Sequence, residues 1–305
     1  MLETDHIALT RQYEDNSHTI IHVSDTQLIG ARGKWHGYPL DADEKLAELV
    51  AALISTEIHP DAMVFTGDLA DRGEAEAYRK LRNAIEPVAD KMGAELIWVM
   101  GNHDDREVLR QSLLYQEPSM APIDEVHNVN GLRIISLDTS VPGHHYGLVA
   151  DNQLEWLSNE LVKPSEYGTV LAMHHPPLPV VMPLAQTVEL QDQTGLAEVI
   201  QGSDVRTIIA GHLHYSSFGT FAGIPVSVAS SSCYTQDLTF AEGQTRGRNT
   251  AQAFNLVHMF RDSVLHSVVP IGESSAVGKT VEREEVTQIL LDAGLSGTKT
   301  FSQIS

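Results

Sequence analysis

Short apolar runs alternate with amphipathic stretches over the first hundred residues. Thr19-Ile20-Ile21-His22-Val23 is an apolar run that stops at Ser24-Asp25. Leu46, Leu49, Val50, Leu53 and Ile54 then recur at helical spacing within residues 42–56. Ala62-Met63-Val64-Phe65 is a second run and ends in Gly67-Asp68. Residues 74–92 carry another helical pattern, in which Pro87 predicts a kink or break. Leu96-Ile97-Trp98-Val99-Met100 is a third run and ends in Gly101-Asn102-His103-Asp104. Strand, helix, strand, helix, strand predicts parallel pairing through crossover helices.

The second half adds hairpins. Asn130-Gly131 between residues 126–129 and 132–137 is a strong hairpin signal. A helix is predicted over 151–161, and a strand over Val170-Leu171-Ala172-Met173 that ends at His174. A helix near 190–201 precedes the strand Thr207-Ile208-Ile209-Ala210, which ends at Gly211-His212. Two further hairpins pair residues 218–221 with 225–228 and 254–259 with 264–269. Mixed sheets inside and helices outside fit this order. After Pro270 the pattern weakens. Residues 271–280 read as a Gly/Ser-rich linker, 281–292 as one short helix, and the last residues as a mobile polar tail. The expected division is thus a domain over 1–270 and a linker with a short helix or tail over 271–305.

Five polar blocks lie where apolar runs stop: Asp25-Thr26-Gln27, Gly67-Asp68, Gly101-Asn102-His103-Asp104, His174-His175-Pro176 and Gly211-His212-Leu213-His214. A parallel sheet gathers its strand C-termini at one edge, where ligands bind. A lone Asp after a strand is usually a helix cap, and a lone His usually packs. Five blocks in one topological position predict a metal site. Imidazole with carboxylate suits manganese, iron or zinc, whereas an all-oxygen shell suits magnesium or calcium. There are enough ligands for two divalent ions that share one carboxylate, and manganese is the favoured metal.

Charge narrows the partners. The 305 residues hold 41 acidic and 20 basic side chains, a formal net charge of -21. Such a surface repels polyanions, so nucleic acid polymers are disfavoured. A small anion remains acceptable where metal cations reverse the local field. Cys233 is the single cysteine, so no intrachain disulfide or cysteine-rich zinc site can form. No apolar stretch is long enough to span a membrane, and the N-terminus does not read as a signal peptide. The expected location is cytoplasmic.

The ordered set D-x-(H), GD, GNHD, HHP and GHxH resembles the calcineurin-like metallophosphoesterases over roughly residues 18–270. Gly67-Asp68-Leu69-Ala70-Asp71, Trp98 to Asp105, Asp138 to His145 and Gly211 to Tyr215 look like the class III cyclic nucleotide phosphodiesterases, most like the actinobacterial cyclic-AMP enzymes. That resemblance implies a four-layer α/β/β/α sandwich with mixed sheets and a dinuclear metal centre. Asp68 would bridge both ions. Asp25, position 27 and His214 would complete one site, and Asn102, His174 and His212 the other. The family places a histidine where this chain has Gln27. An amide oxygen is the weaker donor, so Gln27 either ligates loosely or holds a metal-bound water.

The implied reaction is hydrolysis of 3',5'-cyclic AMP to 5'-AMP by a hydroxide held between the ions. His103 is expected to contact the phosphate or protonate the leaving oxygen, or else only to orient the site. Asn102, His103, His145 and His212 are the residues expected to meet substrate. His144 and His145 otherwise read as surface histidines, His175 as a neighbour of the ligands, His22 as packed, and Arg72 as a surface ion pair. The resemblance also implies a homodimer. The rival readings are a glycerophosphodiesterase or phosphomonoesterase on the same scaffold, and a binding or scaffold protein weakened at Gln27.

Overall fold

Apolar side chains at successive strand positions point to opposite faces, so the runs that begin this chain must be covered on both sides. The computed structural model describes residues 9–30, 40–241, 243–272 and 275–295. In chain order the main unit holds β1 (His18–Val23), α1 (Ala42–Ser55), β2 (Ala62–Thr66), α2 (Ala75–Met92), β3 (Glu95–Val99) and a helical turn α3 (Arg106–Leu109). Then come β4 (Glu125–Val129), β5 (Leu132–Leu137), α4 (Asp151–Leu161), β6 (Thr169–Met173), α5 (Gln193–Ile200) and β7 (Val205–Ala210). The hairpin β8 (Ser217–Phe221) and β9 (Ile224–Val228), the two-residue strands β10 (Thr235–Gln236) and β11 (Gly247–Arg248), and β12 (Ala253–Met259) with β13 (Val264–Pro270) complete it.

Two mixed sheets result. One has the order β13-β12-β1-β2-β3 and the other β4-β5-β6-β7-β9-β8. Strands β1, β2 and β3 are parallel, as are β5, β6, β7 and β9. Alternation sorts the side chains into three apolar layers. Ile21, Val23, Met63, Phe65 and Trp98 pack with Leu49, Leu53, Tyr78, Leu81 and Ile85 of α1 and α2. Ile135, Leu137, Leu171, Met173 and Ile208 pack with Leu157, Leu161, Leu196 and Ile200 of α4 and α5. Ile20, Val64, Ile97, Ile134, Val170, Ala172 and Ile209 fill the space between the sheets. Each large side chain buried this way contributes about 1.5–3 kcal/mol. The expected α/β/β/α sandwich is the observed architecture.

The structure corrects some details. Pro87 neither breaks nor ends α2, which runs unbroken through it. Pro87 and the Asn83 whose carbonyl it cannot serve both lie on the exposed face, where water can take the missing bond. The opposite face, Tyr78, Leu81, Ile85, Val88 and Ala89, is buried and holds the helix in line. The helix near 190–201 begins only at Gln193, because Leu190 bridges Gly147 in strand fashion and Asp192 turns the chain in a left-handed conformation just before it. Residues 1–15 and 273–305 form a second unit, in which the described part contains α6 (Arg283–Asp292) with Val286 and Ile289 exposed. The expectations of no signal peptide and of a polar tail fall on residues 1–8 and 296–305, outside the described residues.

The parallel strands end on one rim. Bridges there join Ser24 to Ser231 and Leu28 to Ala70, which ties the loops after β1, β2 and β9 together.

Candidate metal centre

Every polar block follows a parallel strand, so all five open on that rim. The backbone is strained there. Asp25, Gln27, Asp68, His212 and His214 all have φ between 48° and 72°. Such left-handed conformations in residues other than glycine persist only where the surroundings enforce them, and they gather at functional sites. Backbone bonds supply the enforcement: Asp25 N to Gly67 O (3.1 Å), Gln27 N to Asp68 O (2.9 Å) and Gly211 N to His174 O (3.0 Å). Gly101 and Gly211 are required by close approach. A Cβ at Gly101 would collide with the Asp68 backbone and carboxylate, and one at Gly211 with Ser24 Oγ and Asp25 Oδ2.

The side chains converge. One carboxylate oxygen each from Asp25 and Asp68 and a ring nitrogen of His174 lie within 4.8 Å of one another. His174 Nε2 lies 3.3 Å from Asp68 Oδ1, 3.2 Å from Asn102 Oδ1 and 3.3 Å from His212 Nδ1. His214 Nε2 lies 3.3 Å from Asp25 Oδ1. Gln27 is buried and donates from Nε2 to Asp68 Oδ2 at 3.0 Å. All seven expected ligands, Asp25, Gln27, Asp68, Asn102, His174, His212 and His214, thus face one small volume.

The histidine tautomers say what that volume wants. His174 Nδ1 donates to the Thr66 carbonyl (2.7 Å), His214 Nδ1 to the Tyr234 carbonyl (2.9 Å), and His212 Nε2 to the Val188 carbonyl (2.9 Å). A carbonyl can only accept, so each neutral ring turns its bare nitrogen inward. The lone pairs of His174 and His214 point at carboxylate and amide oxygens and that of His212 at the His174 ring nitrogen, and electron-rich atoms facing one another need a cation between them. Asp25 Oδ1 and Gln27 Oε1 are buried and make no hydrogen bond. Outer carbonyl partners that fix the tautomer are the usual support for metal-bound histidine. The residues present therefore fit two divalent ions.

Charge responds in the same direction. Burial alone would raise both carboxyls. The adjacent imidazoles, His174 for Asp68 and His214 for Asp25, instead hold them below the usual range. Against its own burial, His174 is lifted to about 9 by Asp68, and His214 is raised by Asp25. Protons thus take the place a cation would fill. Burial, with His174 alongside, drops His212 to about 3.

Supporting residues surround this cluster. Asp104 accepts from the backbone of Leu69, Ala70 and Gly101 and from the Tyr78 hydroxyl, which locks the Asp68 loop to the Asn102 loop. His103 is half-buried. Its amide donates to Asp68 Oδ1 (2.9 Å), its Nδ1 to the Asp71 carbonyl (2.9 Å), and its Nε2 lies 3.9 Å from Asp68 Oδ2. His145 is exposed on the rim, with Nδ1 3.0 Å from Asn102 Nδ2. The Asn102 amide donates there, which turns its oxygen inward. His175 has both nitrogens engaged, with Thr139 Oγ1 (2.7 Å) and the His145 carbonyl (3.1 Å). His144 is exposed, and His22 is buried against Thr66 Oγ1. Arg72, largely exposed, pairs with Asp71.

Sequence reasoning missed three supports. Tyr234 accepts from His214 through its carbonyl and lays its ring 4.3 Å from the imidazole. Val188 caps His212. Arg106 is buried and bonds Asp138 Oδ2, the Met120 carbonyl and the Ser140 carbonyl, each at 2.9 Å, which anchors the loop that carries His145. The Asp138 to His145 similarity held the only hint of that clamp.

Known proteins resemble this chain. The pattern of the family described as calcineurin-like phosphoesterase matches residues 18–216. A cAMP/cGMP dual specificity phosphodiesterase of Mycobacterium tuberculosis is 55% identical over 278 residues, 91% of this chain and 87% of that protein. A probable cyclic nucleotide phosphodiesterase of Rhodococcus erythropolis is 50% identical over 284 residues, 93% and 94% of the two chains. A purple acid phosphatase from yellow lupin superposes with a TM-score of 0.58 at 13% identity, covering 84% of this chain and 52% of that one, a likeness of fold. With the rim geometry and these matches together, the chain belongs to the calcineurin-like phosphoesterase family.

Proposed function

We propose that this protein is a metal-dependent phosphodiesterase that hydrolyses 3',5'-cyclic AMP to 5'-AMP. The observation that carries the reading is the convergence of seven donor side chains whose bare nitrogens and unpartnered oxygens face one volume. The identity with two cyclic nucleotide phosphodiesterases over nine-tenths of the chain supports the substrate. Asp68 lies between the two groups of ligands and bridges them, Asp25, Gln27 and His214 on one side, Asn102, His174 and His212 on the other. The donor set suits manganese, iron or zinc, with manganese favoured. The catalytic domain lies within residues 1–270, with 271–305 a linker and a short helix or tail. The protein works as a homodimer in the cytoplasm, a reducing compartment that suits its lone buried cysteine.

Two bound divalent ions supply Lewis-acid neutralisation of the phosphate oxygens and lower the pKa of water. The chain's own groups do the rest. His103 spends Nδ1 on the Asp71 carbonyl, so its protonated ring presents Nε2–H to the leaving 3' oxygen. Water adds to phosphorus as the P–O3' bond breaks, the proton from Nε2 goes to O3', and the proton that the water gives up leaves to solvent, from which His103 is reprotonated. His145 holds the Asn102 amide so that its oxygen faces inward. Gln27 keeps its amide N–H on Asp68 and its oxygen free, a ligand geometry that argues against an inert scaffold.

Turnover of cyclic AMP, AMP and a glycerophosphodiester by the manganese-loaded protein tests the reading. Cyclic AMP is expected to be the best substrate, and Asn102→Ala or His212→Ala should abolish its hydrolysis. Faster turnover of AMP or the glycerophosphodiester, or near-normal rates in either variant, overturns it.

A further inference from the structure

The group of ligands that includes Gln27 is assembled from both sheets. Asp25 follows β1 of one sheet, and His214 follows β7 of the other. Ser231, in the loop after β9, joins them from outside the metal-binding blocks. It is fully buried and donates from Oγ to the Asp25 carbonyl at 2.8 Å. The same oxygen accepts from the backbone N–H groups of Cys233 (3.0 Å) and Tyr234 (3.3 Å).

A hydroxyl has one proton to give and two lone pairs to share. Ser231 spends all three on backbone groups, which leaves nothing for a metal ion or a substrate. It fixes two positions at once. The bonds from the second and third residues further on close a turn of the kind serine favours. That turn aims the Tyr234 carbonyl at His214 Nδ1, 2.9 Å away. The segment then continues along His214, whose carbonyl accepts from the Gln236 N–H at 3.1 Å. At its other end the hydroxyl holds Asp25, a residue at φ 53°, and such a backbone persists only where its surroundings enforce it. Ser24 pairs with Ser231 in a parallel bridge, and its carbonyl accepts from the Ser232 N–H at 3.1 Å. The two loops are thus in register, and the Ser231 hydroxyl ties the Asp25 backbone to the turn that orients His214.

We propose that Ser231 is a positioning residue for the ion held by Asp25, Gln27 and His214, and that its hydroxyl sets the affinity for that ion without touching it. The inference rests on the two-ion reading above and deepens it. The ligands on the other side are held by different carbonyls, Thr66 for His174 and Val188 for His212, and Ser231 bonds neither. Loss of the hydroxyl is therefore felt at one ion. That ion also has the weaker donor, the Gln27 amide, and so depends more on how Asp25 and His214 are placed.

Manganese titration of the chelator-stripped protein, read by calorimetry, is the test. Ser231→Ala should weaken one of the two binding steps by about 10- to 100-fold and leave the other unchanged. The weakened step should be the one that His214→Ala abolishes. Turnover of cyclic AMP by Ser231→Ala should be low at limiting manganese and recover at saturating manganese, which puts the loss in metal affinity rather than in kcat. Ser230→Ala is the control. The Ser230 hydroxyl is also buried, but it donates to the Ala251 carbonyl (3.0 Å) and reaches no ligand, so both steps should stay as they are. Weakening of both steps or of neither, an equal loss in Ser230→Ala, or a Ser231→Ala chain that does not fold overturns the assignment. Failure of the parent reading is separate: the unaltered protein would then take up fewer than two ions, and this assignment would fall with it.

Discussion

The two halves of the metal centre are built on different terms. On one side Asn102, His174 and His212 contact one another, His174 Nε2 lying 3.2 Å from the Asn102 oxygen and 3.3 Å from His212 Nδ1. On the other side Asp25 Oδ1 and Gln27 Oε1 are buried without a hydrogen bond. The first side can satisfy its polar atoms among themselves by taking up a proton. The second can also take up a proton, between His214 and Asp25, but that leaves the Gln27 oxygen bare, and Gln27 is the weaker donor of the set. Ligand chemistry and the need for charge therefore point in opposite directions within one cluster, and Asp68 is the group that belongs to both.

The largest effect expected is at that shared carboxylate. Asp68→Ala should remove about 10³-fold or more of the activity, beyond the roughly 10²–10³ of a single transition-state donor. Metal analysis should show both ions weakened. If one ion is retained at full occupancy, Asp68 does not link the halves.

Next comes the contrast between the sides. His212→Ala should abolish turnover, whereas Gln27→Ala should leave a measurable fraction. Gln27→His should tighten one of two metal-binding steps by about 10-fold, a shift in the range that neighbouring-group changes produce at metal sites. Titration with manganese, followed by calorimetry, reads this directly. An unchanged profile would show that position 27 does not touch an ion.

Protons and metal also compete on the better-satisfied side. Below about 9 the His174 ring of the metal-free protein is protonated. Each pH unit below that value should weaken metal binding up to tenfold, because the proton must leave first. Metal affinity should therefore climb from pH 6 to pH 9 and then level. A flat affinity over that interval would mean the His174 lone pair is not used.

A smaller loss, about 10-fold, is expected when the Arg106 clamp is weakened by Asp138→Asn. The clamp acts through His145, so the same change made in a His145→Ala background should have little further effect on kcat. Equal losses in both backgrounds would assign the clamp to general stability instead.

The smallest effect concerns stability alone. Burial lifts the Asp124 carboxyl from 3.8 to about 6. The folded protein then keeps a proton that the unfolded chain releases between those values. Stability should fall as pH rises from about 4 to 6 and stay level above. Denaturant titrations of Asp124→Asn should show a shallower slope, the remainder coming from Asp104, whose carboxyl burial also lifts to about 6.

Much of the site was legible because parallel strands impose it. Runs such as residues 62–65 and 170–173 can be buried only as central strands, and whatever follows them must meet at one rim. The resemblance named the candidate ligands, and Gly101 and Gly211 carry the close approaches that the motifs need. Pro87 misled because propensity is local, whereas α2 is held straight by the buried face from Tyr78 to Ala89. The Arg106–Asp138 clamp and the Val188 carbonyl over His212 left little local trace, since each joins segments tens of residues apart.

The order and chemistry of the blocks, set by residue type and by the period of two along the strands, were determined by the sequence itself. Only the tertiary structure decided which nitrogen of each histidine faces inward and that Gln27 turns an unpartnered oxygen into the centre. Those properties depend on which carbonyl or side chain another part of the chain brings within 3 Å, and no local pattern encodes that distance.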